Sequence, residues 1–498
     1  MRNQVQLIAY ADRFGGDLPG LGRLLDTRFP GVFGGVHILP FFTPYDGADA
    51  GFDPVDHRTV DPRLGSWDDV RALSRRYDTV VDVIVNHVSA RSAAFRDVVA
   101  RGDASPWAPM FLTFSTVFPR GATEDALAAI YRPRPGLPFT PMTLGGRRRL
   151  VWTTFSPQQV DIDVRSAPGR DYLLSVLDTL AAAGVSLLRL DAAGYAIKTA
   201  GTSCFLTPDT LAFLDELTGL ARQRGLDVLV ELHASHHRQL ELAGALDVLV
   251  YDFALPPLVL HAAYTGDHDP LVRWLRARSA RTVTVLDTHD GIGVIDVAPE
   301  ADRPDEPGLL TTSQVEALVE GIHTATGGAS RAATGAAAAN LDLYQVNSTF
   351  YDALAGDDQR YLAARALQFF TPGIPQVYYV GALAGGNDLD LLAATGVGRD
   401  INRHRYTSAE IDAALSRPVV RALAALARFR NTCPAFAGTC RLGEDPQGGV
   451  RLSWRGPAAE AELAVDLHDG RASVEWVLDG RRHRTDDLLG APPVVAST

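Results

Sequence analysis

Three acidic residues stand where short apolar runs end: Asp191 in Arg189-Leu190-Asp191, Glu231 in Val230-Glu231-Leu232-His233, and Asp290 in Thr288-His289-Asp290. Each has an arginine or a histidine within two residues. Breaking a glycosidic bond with retention needs one carboxylate as nucleophile and a second carboxyl group as acid/base. A third carboxylate can stabilise the oxocarbenium-like charge that develops at the anomeric carbon. A single acid at a strand end is ordinarily a cap or a solvated loop residue, whereas three in comparable positions ask for a common explanation. On a strand, Arg189 and Asp191 project to the same side, so the guanidinium is expected to lower the Asp191 pKa and favour the anion that a nucleophile requires. Glu231 must instead hold a proton for the leaving oxygen, which partial burial would favour.

These acids have to be positioned by the elements they terminate. Eight β-branched or apolar runs recur along the chain: Val5–Tyr10, Val36–Phe42, Thr79–Asn86, Ser186–Asp191, Asp227–His233, Asp247–Phe253, Thr282–Asp287 and Pro375–Val380. Most are continuous rather than alternating, the mark of parallel strands covered on both faces. Helical patterns such as Trp67–Arg76, Arg170–Ala183, Thr207–Arg224 and Pro270–Arg278 lie between them. The alternation predicts an α/β fold, a (β/α)8 TIM barrel, whose chemistry sits at the carboxyl ends of its strands.

Two stretches are too long for ordinary strand-to-helix loops and read as inserted loop domains. The expected organisation is barrel over 1–86, 165–290 and 355–435, an inserted domain over 87–164, an inserted loop domain over 291–354, and a small C-terminal antiparallel β domain over 436–498. Alternating runs such as Gly449–Trp454 and Ala461–Leu467 carry that last assignment.

Composition sets the surroundings. With 46% hydrophobic and 21% charged residues among 498, the chain can bury a large core. A net charge of -12 argues against nucleic acid or an anionic membrane as partner. Cys204, Cys433 and Cys440 form neither a disulfide framework nor a metal knuckle, and a reducing, cytoplasmic setting fits them. No leader segment is evident at Met1–Ile8, and no uninterrupted apolar run reaches about 18 residues, so no membrane span is expected. Lys198 is the one lysine against 46 arginines; its position a few residues after Asp191 draws notice, but no role is assigned to it here.

Four short motifs occur in a fixed order: Asp82-Val83-Ile84-Val85-Asn86-His87, Leu188-Arg189-Leu190-Asp191-Ala192-Ala193, Leu229-Val230-Glu231-Leu232-His233 and Leu286-Asp287-Thr288-His289-Asp290. Together they resemble the α-amylase-like glycoside hydrolase family. Further segments resemble its sucrose phosphorylase branch: Gly47–Phe52, Tyr131-Arg132-Pro133-Arg134-Pro135-Gly136, Gln158–Asp163, Gly201–Phe205, Asn340–Asn347 and Gly398–Arg403. This likeness covers most of residues 1–435 and weakens beyond.

The resemblance implies that Asp191 is the nucleophile, Glu231 the acid/base and Asp290 the transition-state stabiliser. His87, Arg189 and His289 would bind hydroxyls and orient carboxylates. Asp49 and Arg399 would grip the distal hydroxyls of a glucosyl unit, with Phe52 and Tyr195 as walls. Gln159 and His233 would lie near the acceptor side, Arg134 and Tyr344 would receive phosphate, and Asp342 and Gln345 would contact fructose. The implied substrates and products are sucrose, inorganic phosphate, α-D-glucose 1-phosphate and D-fructose, with no cofactor and no metal. A homodimer joined through the first insertion is also implied.

Two neighbouring activities stay open at this point. A related phosphorylase would act on glucosylglycerol or sucrose 6'-phosphate; Asp342, and the absence of Lys and Arg between Thr334 and Asn347, count against a phosphorylated acceptor. A hydrolase or transglucosidase would use water or a sugar in place of phosphate, and Arg134 and Tyr344 discriminate against it.

Overall fold

The eight apolar runs become strands β1 (Gln6–Ala9), β2 (Gly35–Ile38), β3 (Asp78–Ile84), β4 (Leu187–Asp191), β5 (Asp227–Val230), β6 (Leu249–Asp252), β7 (Thr282–Thr284) and β8 (Ile374–Tyr378). The structure is a computed structural model, and it describes residues 1–495 except 48, 134–135, 301–302, 304, 336–344 and 445–447. All eight pairings are parallel, and β1 bonds to both β2 and β8, closing the barrel. Helices such as Trp67–Ser74, Ala167–Ala182 and Pro208–Arg222 return the chain between strands. Their starts are written locally: Ser166 and Thr207 accept the amide hydrogens of Gly169 and Thr210, with a proline in the first turn of each helix.

The barrel centre is not purely aliphatic. Gln6, His37, Asp82, Arg189, Tyr251 and Gln376 are buried and bond to one another across it. Burying such groups is tolerable because most of their polar atoms find partners in one another, Gln6 Nε2 being an exception. This polar layer is the floor on which the strand-end acids stand.

Between β3 and β4, His87–Ser89 pairs antiparallel with Gln159–Asp161, and Phe139–Leu144 forms a hairpin with Arg147–Trp152. This region has an apolar cluster of its own, built from Leu112, Val117, Phe118, Ile130 and Trp152 with Cys204. Between β7 and β8, Ile292–Gly293 pairs with Gln345–Val346, and helices Thr312–Ala325 and Ala329–Thr334 lie between the two. Strands β9 (Thr439–Glu444), β10 (Val450–Arg455), β11 (Ala459–Asp466), β12 (Arg471–Leu478) and β13 (Arg481–Thr485) form an antiparallel C-terminal sheet in sequence order. Trp454 ties that sheet to the barrel by donating its indole N–H to the Phe370 carbonyl at 2.7 Å.

Candidate active site

Asp191 ends β4, and its Oδ1 lies 2.8 Å from Arg189 Nη1. The same nitrogen lies 2.7 Å from Asp82 Oδ1, and Asp82 Oδ2 is 2.9 Å from His37 Nε2. One guanidinium thus serves two acids, and it is itself shut inside the barrel. For Asp82, burial alone would raise the pKa, but His37 and Arg189 outweigh it and hold the group at about 2. Asp191 behaves differently from the sequence expectation. Burial pushes it up to about 8, against the lowering pull of Arg189 and with the repulsion of Glu231 added. Arg189 is shared with Asp82, so its effect on Asp191 does not outweigh burial. Burial and the nearby Glu231 carboxylate thus favour the neutral form of Asp191, and the ion pair with Arg189 works against them.

The chain turns sharply after Asp191. Ala192 is left-handed, with φ 53°, a conformation that costs an alanine about 1 kcal/mol or more. The turn aims the Ala192 N–H at Glu231 Oε2, 3.2 Å away. The backbone that carries one carboxylate thereby holds the other.

A second ionic cluster closes the inner end of the site. Arg399 Nη1 lies 2.8 Å from Asp290 Oδ1 and 2.9 Å from Asp49 Oδ2. Arg403 Nη2 is 3.3 Å from Asp49 Oδ1. Burial opposes ionisation of both acids, but Arg399, with His289 and Arg403, holds Asp290 well below the usual carboxylate range, and Arg399 with Arg403 holds Asp49 at about 2. Both are anions at any working pH. Arg403 also donates Nε–H to the His289 carbonyl at 2.9 Å, and Asn402 donates to the Thr288 carbonyl, so the β7 loop is pinned from the β8 loop.

The rings assemble around these charges. Phe52 stacks on His289, with centroids 4.7 Å apart and planes 8° apart. Burial keeps His289 neutral by lowering it to about 3. His87 Nε2 lies 2.9 Å from the Phe52 carbonyl and 3.0 Å from Gln159 Nε2, and Gln159 is buried. Tyr195 stands edge-on to Phe155, with centroids 5.2 Å apart. His233 stacks on Phe253 at 3.9 Å, places Nε2 3.7 Å from Glu231 Oε1, and receives the Gln345 amide at 3.2 Å. Of the site residues read from sequence, Asp49, Phe52, His87, Gln159, Arg189, Asp191, Tyr195, Glu231, His233, His289, Asp290, Gln345 and Arg399 come together. Arg134, Asp342 and Tyr344 lie outside the described residues.

Several contributors carried no assigned role in the sequence reading. Asp82, His37 and Arg403 sit inside recognisable motifs, and their polar character within apolar or strand-end text was the available signal. Asp296 is marked only by being an acid inside the apolar run Val294–Val297. Lys198 turns inward: its Nζ lies 2.6 Å from Asn86 Oδ1 and 2.8 Å from Asp161 Oδ2, and it donates to the Tyr195 carbonyl.

The chain is 55% identical to sucrose phosphorylase of Bifidobacterium adolescentis, covering 100% of each chain. It is 57% identical to sucrose phosphorylase of Agrobacterium vitis, covering 95% of this chain and 97% of that one. This chain belongs to the sucrose phosphorylase family. Among solved structures, sucrose 6F-phosphate phosphorylase from Thermoanaerobacter thermosaccharolyticum superposes with a TM-score of 0.89 at 37% identity, covering 97% of this chain and 98% of that one. No family model matches the chain. Strands β4 and β5, which end at Asp191 and just before Glu231, are neighbours in the barrel.

Proposed function

We propose that this protein catalyses the reversible phosphorolysis of sucrose to α-D-glucose 1-phosphate and D-fructose. The observation that carries the reading is the adjacent pair: Asp191 ion-paired to Arg189 at 2.8 Å, with Glu231 held beside it through Ala192 N–H. Full-length identity of 55–57% to sucrose phosphorylases supports the choice of substrate.

The glucosyl ring enters between Phe52 and Tyr195, with its distal hydroxyls at Asp49 and Arg399. Glu231 gives its proton to the fructosyl oxygen as that C–O bond breaks, and an Asp191 oxygen bonds to the anomeric carbon from the opposite face. Fructose leaves, and a β-glucosyl ester remains on Asp191. Asp290, an anion held by Arg399, stabilises the positive charge that builds on the ring at each passage. Glu231, now a carboxylate, takes a proton from dihydrogen phosphate as a phosphate oxygen attacks the anomeric carbon and displaces Asp191. Two inversions leave the α configuration intact. Arg134 and Tyr344 would receive phosphate, and Asp342 and Gln345 would receive fructose, as the family likeness implies. Three free cysteines fit a cytoplasmic setting, and a homodimer is the implied assembly.

Incubation with sucrose, with and without inorganic phosphate, tests the reading. Glucose 1-phosphate should appear only with phosphate, matched by fructose, with little free glucose. Free glucose at the same rate without phosphate would make the protein a hydrolase. No turnover of sucrose, with turnover of another glucoside, would place it with a sister phosphorylase.

A further inference from the structure

Behind His233 lies a buried acid that the mechanism above does not use. Asp296 is fully buried, and its Oδ2 lies 3.1 Å from His233 Nδ1. Its other oxygen accepts two hydrogen bonds, from Ala234 N–H at 3.3 Å and Gln239 Nε2 at 2.9 Å. Gly293 permits the approach: a Cβ there would stand 2.2 Å from Asp296 Oδ2 and 3.3 Å from His233 Nδ1. An ionised carboxylate only accepts hydrogen bonds, so His233 Nδ1 must carry the hydrogen that points at it.

The opposite ring nitrogen is fixed from the other side. Gln345 Oε1 accepts from Gly291 N–H and from Arg399 Nη2, each at 3.3 Å. Its amide is therefore oriented with Nε2 toward His233 Nε2, 3.2 Å away. A donor faces that nitrogen, so Nε2 presents a lone pair. Phe253, stacked 13° from parallel, holds the ring plane. The charged groups facing the imidazole are Asp296 and Asp290 from the loop after β7 and Glu231 from the end of β5. Burial lowers its basicity, but these acids, Asp296 foremost, outweigh burial and raise it.

Building on the sucrose reading, we propose that Asp296 is a positioning residue of the acceptor side. It locks His233 in the Nδ1–H tautomer, so that Nε2 accepts from the Gln345 amide and holds it in place, with the amide's second hydrogen left for an oxygen of the departing or incoming fructose. Phosphate, assigned by the family likeness to Arg134 and Tyr344 rather than to Gln345, does not depend on that amide, so the device favours the sugar half of the reaction over the phosphate half.

Asp296→Asn separates the two halves. The Asn oxygen stays with Ala234 N–H and Gln239, which leaves the amide nitrogen facing His233 Nδ1 and forces the opposite tautomer, with Nε2–H set against the Gln345 amide hydrogen and displacing that amide. The equivalent carboxylate-to-amide change in a serine protease triad leaves geometry intact but imposes the wrong tautomer. The full-length variant is assayed on sucrose with phosphate, on glucose 1-phosphate with fructose, and on α-D-glucosyl fluoride with phosphate, which has no sugar leaving group. A loss of roughly 10- to 100-fold in kcat/KM is expected with sucrose and with fructose, with the fluoride reaction within about threefold of the parent. Equal losses on all three, or no loss on sucrose, would overturn the proposal. A variant-independent check is nitrogen NMR of His233 in the unsubstituted protein at a pH where the ring is neutral: the Nδ1–H tautomer is required, and Nε2–H would overturn the proposal even if the variant failed to fold. Failure of the sucrose reading itself would show separately, as an unsubstituted protein inactive on sucrose yet active on the fluoride.

Discussion

Lys198 and Asp161 meet at 2.8 Å with both side chains closed off from solvent. Asp161 belongs to the strand that pairs with His87–Ser89, while Lys198 follows the loop after Asp191. The ammonium also reaches Asn86 at the end of β3 and the Tyr195 carbonyl. Three oxygens from three segments converge on one point. That is a place for a compact charge with three rotatable donors, which a planar guanidinium cannot replace. It explains why a chain that otherwise uses arginine keeps a lysine here.

Lys198→Met should therefore leave Asp161 as an uncompensated buried charge. The expected cost is about 3–5 kcal/mol of stability, read as a shift of the denaturant midpoint. Lys198→Arg should recover little of it. Full recovery by arginine would show that charge alone, not shape, matters at this position.

Asp191 offers a pH test with a definite sign. Its folded pKa of about 8 lies above the ordinary carboxylate value, so its protonated form stabilises the fold below about pH 4, and that contribution is lost as pH rises toward 8. Asp191→Asn removes the penalty of ionising in place. The variant should be inactive, and its thermal midpoint should exceed the parent's by more at pH 9 than at pH 5. An equal difference at both pH values would count against a raised pKa.

Asp82 runs the other way. Its folded value of about 2 is depressed, so its contribution is present above about pH 4 and is lost as pH falls toward 2. About 2 kcal/mol of acid sensitivity should disappear in Asp82→Asn. At pH 7 the same change strips Arg189 and His37 of a shared partner and should destabilise by about 3 kcal/mol. Acid titration of both proteins, followed by circular dichroism, measures the two effects together.

Glu231→Gln should lower kcat on sucrose by about 10²- to 10⁴-fold, the usual span for a lost acid/base. The first step with α-D-glucosyl fluoride should survive, because fluoride leaves with less help from an acid. A burst of fluoride from that variant, followed by slow turnover, would mark accumulation of the glucosyl ester on Asp191.

Arg399→Lys tests the inner cluster. Arg399 Nη1 meets both Asp49 and Asp290, at 2.9 and 2.8 Å, while Nη2 anchors the fork on Gln345 Oε1 at 3.3 Å, and an ammonium lacks the second nitrogen and the planar geometry that set the first. Loss in kcat/KM of at least about tenfold is expected, with sucrose and glucosyl fluoride affected alike because both present the same glucosyl unit. A loss confined to sucrose would move Arg399 to the acceptor side.

The order of strands and helices, the three acids at strand ends and the four motifs were legible in the chain itself, because a parallel strand buried on both faces leaves a continuous apolar run and the fold places its chemistry where such runs stop. The extents of β1 to β8 differ from the sequence reading mainly at their ends, where hydrogen bonding rather than side-chain type decides. What tertiary structure alone decided is how charge is shared. Arg189 was expected to serve Asp191, yet the β3–β4 register sets it opposite Asp82 and divides it between two acids. Lys198 and Asp161 are 37 positions apart, and His233 and Asp296 are 63 apart. Neither pair has a local spacing to betray it. Their partnership comes from loops of different strands folding over one barrel mouth, where burial makes each charge depend on whichever neighbour the fold supplies.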